Sequence, residues 1–429
     1  MTLKVANSLG STTAPVNPDR IRANLKAFAS IGYSSSGGMN RLAFSRADLR
    51  ARQLLVHIMQ TLELDTRVDS IGNVFGRVSG KANSSRPPVL VGSHLDAVPG
   101  GGRFDGALGV VAGLEAAAIV RENINLMRYP LEIVSFSCEE SSRFGRGTLG
   151  SGLVAGTWEA DEILMLRDAQ GLRLGDVLRR VGLDPTQIGS ARRDPGDFTA
   201  FLEMHIEQGR VLDESDIRVG IVDTIAAPTR FRLLLTGQAD HSGATPMSLR
   251  RDALAGAADI ILAVERLTKS VSGVVGTVGT IRVEPGAINV VPGYVELGID
   301  IRATVSTDKR LVVERLRHEI EQITQKRELS ASLELLTDEE PVELDRRMMQ
   351  ILERCAEDGS ISSLVMPSGA GHDSMHMAKI CPTGMLLAPS VGGISHHFLE
   401  WTELDDIVTG IQVLVDATIQ ILMDGVTPL

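Results

Sequence analysis

The sequence predicts an α/β protein: a mixed-sheet domain with helices on both faces, interrupted by an inserted ferredoxin-like βαββαβ unit. Three observations lead there. Apolar runs of strand length, Pro88 to Gly92, Leu131 to Cys138, Ala200 to Met204 and Met385 to Ala388, each give way to a polar tip, as buried strands do. Segments of helical period lie between several of them. Past about residue 220 the pattern changes to a self-contained alternation of strands and helices, and the first pattern resumes near Pro341. The expected boundaries are residues 1–219 and 339–429 for the mixed-sheet domain and 220–338 for the insertion.

Taken in order, Ser45-Arg46-Ala47-Asp48 is a helix-start signature, and Leu49, Leu54, Leu55, Ile58, Met59 and Leu62 follow in helical spacing. Asp65 to Val78 reads as a strand pair around Ile71-Gly72-Asn73. Gly106 to Val120 reads as a small-residue-rich helix starting just after Asp105, so its N-terminal dipole would favour an oxyanion or carboxylate near the strand tips. Ser141 to Thr157, rich in Gly and Ser, reads as a loop. Asp161 to Gly182 reads as helical, with a solvated arginine face. In the insertion, strands are expected at Phe231 to Thr236, Gly273 to Val283, Tyr294 to Ala303 and Leu329 to Leu336. Its helices are expected at Leu249 to Leu267 and Lys309 to Lys326, and a further helix, Asp345 to Asp358, follows in the resumed domain.

At 429 residues the chain exceeds one ordinary core, and 43% apolar residues suffice for globular folding. A net charge of −11 argues against nucleic-acid or anionic-membrane binding, both of which need a basic surface, and favours a small-molecule partner. Cys138, Cys355 and Cys381 cannot all pair and lack C-x-x-C spacing, which suits a reducing compartment. Cys138 ends an apolar run and reads as packed rather than nucleophilic. Residues 1–18 lack a charged region followed by an apolar one, and no uninterrupted apolar stretch approaches membrane-spanning length. The expected location is cytoplasmic.

The strand tips carry the chemistry. They are Ser93-His94-Leu95-Asp96 with Asp105 shortly after, Glu139-Glu140, His205-Ile206-Glu207-Gln208-Gly209, and Ser395-His396-His397. Open α/β sheets bind ligands outside the carboxyl ends of their strands. Histidines and carboxylates gathered there form a set suited to two divalent ions, zinc first, with manganese, cobalt or nickel behind it. One carboxylate is left over, and a two-metal hydrolase needs a base that is not itself a ligand. A lone histidine at a strand end is more often a hydrogen-bonded structural residue, and a lone Glu-Glu pair is usually a solvated surface. It is the coincidence of all four tips that argues for a site. The residues alone do not separate His396 from His397 as a ligand.

Gly92-Ser93-His94-Leu95-Asp96, Gly102-Arg103-Phe104-Asp105-Gly106, Glu139-Glu140-Ser141-Ser142-Arg143-Phe144, His205-Ile206-Glu207-Gln208-Gly209, Asp240-His241-Ser242-Gly243, Gly369-Ala370-Gly371-His372-Asp373 and Ile394-Ser395-His396 together resemble the hydantoinase/carbamoylase branch of the dinuclear-metal aminoacylase and carboxypeptidase superfamily. The match spans nearly the whole chain. The resemblance implies that His94, Asp105 and His205 hold one metal and Asp105, Glu140 and His396 the other, with Asp105 bridging. It places Asp96 as the carboxylate that orients His94. Glu139 becomes the general base, and His241 the oxyanion donor reaching a neighbouring subunit of a homodimer. Arg302 becomes a clamp for the substrate carboxylate, with Gln208, Asn289, His372 and the backbone at Gly371 completing the pocket. The inserted unit would then be a lid and dimerisation domain.

The activity implied is hydrolysis of an N-carbamoyl-L-amino acid to the amino acid, ammonia and carbon dioxide. Allantoate is the alternative substrate. An aminoacylase or dipeptidase on the same fold is a second alternative, against which the His-Ile-Glu-Gln-Gly and Gly-His-Asp segments count. A non-catalytic binding protein would have no use for every ligand together with Glu139. Two departures from the family pattern, Phe398-Leu399 in place of a proline-containing step and Ser374 in place of an alanine, bear on the pocket wall and so on the substrate.

Overall fold

A computed structural model describes residues 15–34, 37–78, 85–122 and 127–426, so most of the leader reading at residues 1–18 lies outside it. The chain forms two compact units: Met1–Asp223 with Glu343–Met366 and His372–Leu429, and Thr224–Val342 with Pro367–Gly371. The second unit thus runs a few residues later than the expected 220–338. It also takes in Pro367–Gly371, a return of the chain that no local pattern signals.

The first unit is built on a mixed sheet of β1 (Asp65–Val68), β2 (Val74–Arg77), β3 (Val89–His94), β4 (Leu131–Phe136), β5 (Ala200–Ile206) and β6 (Val219–Ile225), with the short β13 (Val342–Glu343), β14 (Ser363–Ser368) and β15 (Thr383–Ala388) added after the insertion. Its order is β1-β2-β4-β3-β5-β15-β6-β13, with β14 also on β6. The central strands β4, β3, β5 and β15 are parallel. They are also buried throughout, which explains their continuous apolar sequences. Because they run the same way, their carboxyl ends reach one edge of the sheet together. That edge carries His94, Glu139-Glu140, His205 and the segment leading to His396.

Ser45 caps the helix Arg46–Thr61, its hydroxyl accepting the Asp48 N–H, and β1 and β2 form the expected hairpin. Within the expected loop, Leu149–Val154 is a buried helix. The expected helix over Asp161 to Gly182 is broken into Ala160–Leu164 and Leu174–Arg180. Asp168 breaks it, because its carboxylate accepts the backbone N–H groups of Gln170 and Leu172 and so stabilises a turn.

The helix Leu404–Asp424 was not anticipated, and its mean hydropathy of 1.5 would let it cross a membrane by length and composition. It is a core helix: Ile407, Ile411, Leu414, Val415, Ile421 and Leu422 are buried, in one apolar cluster with the helix Ala107–Glu122.

Every residue from Ala107 to Val120 is buried. Small side chains let this helix approach the sheet closely. A Cβ on Gly109 would lie 2.5 Å from the Met204 carbonyl oxygen and 2.6 Å from Ser93 Cβ, so this position tolerates nothing larger than hydrogen.

The second unit contains β7 (Ala227–Thr236), β8 (Asp240–His241), β9 (Val274–Glu284), β10 (Val290–Val291), β11 (Tyr294–Ala303) and β12 (Ser330–Asp338), with helices Ala253–Lys269 and Ser306–Arg327. Its four-stranded sheet has the order β12-β7-β11-β9, all antiparallel, and β8 pairs separately with β10. The first helix starts at Ala253 rather than Leu249, because Asp252 accepts the N–H groups of Leu254 and Ala255 and fixes the start there. Alternate residues of β11, Val295, Leu297, Ile299 and Ile301, pack with Ile260, Val264, Val312 and Leu316 of the helices.

Gly109→Ala is expected to destabilise the protein by about 1–3 kcal/mol through overpacking. Gly189→Ala, where no neighbour lies within 4 Å, should stay within about 0.5 kcal/mol of wild type. Chemical denaturation of the two variants checks this.

Candidate dinuclear metal centre

Two triads meet on one carboxylate. The ligand atoms of His94, Asp105 and His205 lie within 4.8 Å of one another, and so do those of Asp105, Glu140 and His396. Asp105 Oδ1 faces His205 Nε2 at 3.3 Å and His94 Nε2 at 3.5 Å, while Oδ2 faces His396 Nε2 at 3.3 Å. His396 Nε2 is also 3.5 Å from Glu140 Oε1. His397 turns away: its Nδ1 accepts the Leu399 N–H, and its ring packs on Phe398. Of the two adjacent histidines, it is His396 whose ring meets Asp105 and Glu140.

Local structure aims these rings. His94 Nδ1 meets the Asp96 carbonyl and His205 Nδ1 the Ile206 carbonyl, both at 3.0 Å. A carbonyl only accepts, so each Nδ1 carries a hydrogen and each Nε2 is the ring nitrogen left facing Asp105, with the Gly106 N–H also 3.1 Å from His205 Nε2. Asp96 differs from expectation. Its backbone carbonyl orients His94, whereas its carboxylate, 3.8 Å from His94 Nδ1, accepts the backbone N–H groups of Glu139 at 3.2 Å and Glu140 at 3.1 Å. Asp96 therefore shapes the turn that presents both glutamates.

Left-handed backbone recurs at this edge. Cys138, Gln208 and His396, all non-glycine, have φ of 56°, 59° and 54°. Such conformations are costly and cluster where geometry is over-determined by surroundings. The Cys138 thiol is buried and its pKa is pushed well up by burial, consistent with packing rather than nucleophilic chemistry.

The electrostatics call for a cation. Burial pushes Glu140 up to about 7, with Asp105 adding repulsion. Glu139 is held well above the usual carboxylate range, again by burial first. Asp105, despite burial, is held well below that range by its bonds to the three imidazoles. His396 is raised to about 9 by its hydrogen bond to Asp105. Among the described residues no Lys or Arg pairs with Asp105, Glu139 or Glu140. Glu140 Oε1 is buried without a hydrogen bond. Nitrogen and oxygen donors gathered in a buried cluster, with no Lys or Arg partner among the described residues and one carboxylate oxygen unpaired, fit two divalent ions.

Glu139 belongs to neither triad, yet its Oε2 is 3.6 Å from His94 Nε2. Gln208 donates from Nε2 to Asp105 Oδ2 at 2.9 Å and to Ser395 Oγ at 3.2 Å. His372 is buried, with its ring edge-on to His205 at a centroid distance of 4.6 Å. The sequence reading missed Glu400, a buried acid that accepts the N–H groups of Phe104 and Asp105. Its only signal is an acidic residue between Phe398-Leu399 and Trp401.

The remaining predicted residues lie in the second unit. His241 Nδ1 accepts the N–H groups of Gly243 and Ala244, so Nε2 carries the hydrogen and the ring offers a donor. Pairing of β8 with β10 sets Asn289 beside it, and the Asn289 carbonyl accepts the Ser242 N–H. Arg302 is already engaged. Its Nε and Nη2 reach the Asp300 carboxylate at 3.0 and 3.1 Å, and Nη1 reaches the Gly369 carbonyl at 3.0 Å. Gly371 belongs with this unit too.

Residues 90–420 match the family model described as Peptidase family M20/M25/M40. The chain is 39% identical over 399 residues to an N-carbamoyl-L-amino acid amidohydrolase of Geobacillus stearothermophilus, covering 93% of this chain and 97% of that protein. It is 32% identical over 395 residues to an allantoate amidohydrolase of Escherichia coli strain K12, covering 92% and 95%. A crystal structure of a hydantoinase/carbamoylase family amidase from Burkholderia multivorans superposes with a TM-score of 0.86 at 33% identity, covering 96% of this chain and 99% of that one. The chain belongs to the M20/M25/M40 peptidase family, in its hydantoinase/carbamoylase branch. It is a hydrolase of carbon–nitrogen bonds, from a family that depends on paired metal ions.

A metal ion must displace the protons these groups carry. With His396 near 9 and Glu140 near 7 in the metal-free protein, both are largely protonated at about pH 6 and mostly or partly deprotonated at about pH 9. Metal affinity is therefore expected to tighten, and proton release on binding to fall, as pH rises across that window. Calorimetric titration of the metal-free protein with Zn²⁺ in buffers of different ionisation enthalpy checks it.

Proposed function

We propose that this protein hydrolyses the ureido C–N bond of N-carbamoyl-L-amino acids, using His94, Asp105 and His205 for one divalent ion and Asp105, Glu140 and His396 for the other, with zinc as the first candidate. The observation that carries the reading is the sharing of Asp105 by both triads, with Glu139 beside them and outside both. Bound ions would polarise the ureido carbonyl and acidify a water molecule. Glu139, whose buried carboxyl favours holding a proton, would take one from the attacking water and return it to the departing nitrogen. Overall, one water and one N-carbamoyl acid give the amino acid, ammonia and carbon dioxide. The relationship to the Geobacillus amidohydrolase supports this substrate class. The Escherichia coli relative keeps allantoate as the second reading, since both substrates present a ureido group and a carboxylate.

In this reading His241, a donor at Nε2, stabilises the developing oxyanion from a neighbouring subunit of a homodimer. Arg302, Asn289, Gln208, His372 and the Gly371 backbone hold the substrate's polar groups. Arg302 meets the carboxylate with the guanidinium donors that Asp300 and Gly369 leave over.

Glu139→Gln is expected to keep both metals and lower kcat about a hundred- to ten-thousand-fold, the usual worth of a general base. Asp105→Ala is expected to lose metal. Elemental analysis beside ammonia release from N-carbamoyl amino acids, allantoate and N-acyl amino acids checks both the roles and the substrate. Metal loss from Glu139→Gln would overturn the assignment.

His241→Ala and Glu139→Gln, each inactive alone, are expected to regain partial activity when mixed, because half of the sites in a heterodimer carry neither lesion. A mixture that exchanges subunits yet stays inactive would place His241 in the site of its own chain.

A further inference from the structure

Glu400 lies outside every motif that marks the site, yet it is 1% exposed and none of its oxygens is idle. Oε1 accepts the backbone N–H groups of Phe104 at 2.9 Å and Asp105 at 3.2 Å, and Oε2 accepts the Ser395 hydroxyl at 3.2 Å. Ser395 Oγ is also 3.4 Å from Asp105 Oδ2, and Ser395 directly precedes His396. The loop closes tightly on this carboxylate, for a Cβ on Gly102 would sit 1.9 Å from its carboxyl carbon. Among the described residues no Lys or Arg pairs with Glu400.

A neutral acceptor would satisfy two backbone N–H groups equally well. A carboxylate adds a second buried negative charge beside Asp105, which is costly unless positive charge balances it. We propose that Glu400 is a positioning residue for the metal centre. Through the Asp105 N–H and the Ser395 hydroxyl it fixes the shared carboxylate and the start of the His396 turn in one arrangement, and its charge is balanced only when the ions are bound. The proposal rests on the reading of the two triads as metal ligands.

The test is titration of metal-free protein with Co²⁺, followed by visible absorption and calorimetry, for wild type, Glu400→Gln and Ser395→Ala. Glu400→Gln keeps the size and one backbone acceptor but removes the charge, and is expected to weaken Co²⁺ binding on the order of 10–100-fold and alter the d–d spectrum. Ser395→Ala removes one of the three links and should weaken binding less. A structural role alone would lower the melting temperature of the metal-free protein. The proposal instead expects metal-free Glu400→Gln to melt at or above wild type, with a smaller gain on adding Co²⁺. If wild type takes up two Co²⁺ ions and both variants bind them equally tightly, the positioning role is overturned while the metal centre stands. If metal-free Glu400→Gln melts well below wild type and Ser395→Ala binds normally, Glu400 is a structural anchor and the proposal fails. Should wild type bind no Co²⁺, the metal reading fails and this one with it.

Discussion

The carboxylate of Asp105 is buried and meets three imidazoles, two on one oxygen and one on the other. Burial makes that meeting consequential. In a site shielded from water, the charge interactions among Asp105, Glu139, Glu140 and Glu400 are weakly screened, and three histidines cannot neutralise them all. The surrounding structure answers this one constraint. Carbonyls fix the hydrogen on Nδ1 of His94 and His205, and the Asp96 carboxylate ties down the Glu139-Glu140 turn.

Holding such a cluster requires a stiff frame. The parallel strands β3, β4, β5 and β15 are buried throughout, and the helix Ala107–Glu122, buried from Ala107 to Val120, lies against them at a distance that only glycine at 109 permits. Gly106, at the mouth of that helix, has φ +64° and leaves the ring of His94 just enough room, since a Cβ there would be 2.4 Å away. The left-handed residues Cys138, Gln208 and His396 sit where this frame ends. Their conformational cost is offset by the packing behind them, which is why such strain concentrates at the edge and not within the strands.

The second unit prepares its polar groups by similar means. Backbone donors at Gly243 and Ala244 settle the tautomer of His241, and Asp300 fixes the orientation of Arg302. Asp300 also pairs with Arg230, so the guanidinium sits in a network and not as a free surface charge. Under the proposed function, pinning these side chains in advance would lower the entropy lost when the substrate binds.

The sequence by itself determined the central parallel strands, the histidines and carboxylates at their ends and the βαββαβ order, because burial on both faces writes continuous apolar runs and capping residues mark helix starts at Ser45 and Asp345. It also singled out a carboxylate in excess of the ligand set. What only the tertiary structure decided depends on groups distant in the chain. The choice of His396 over His397 follows from which ring reaches Asp105, 291 positions earlier. The use of the Asp96 carbonyl for His94 and of its carboxylate for a turn 43 residues away has no local signature. Glu400 reads locally as one more acid beside a tryptophan, yet it contacts backbone almost three hundred residues upstream. Local pattern reports which face of an element is buried. Which atoms meet across the sheet edge is set by strand order and by loop closures, and those are long-range properties of the fold.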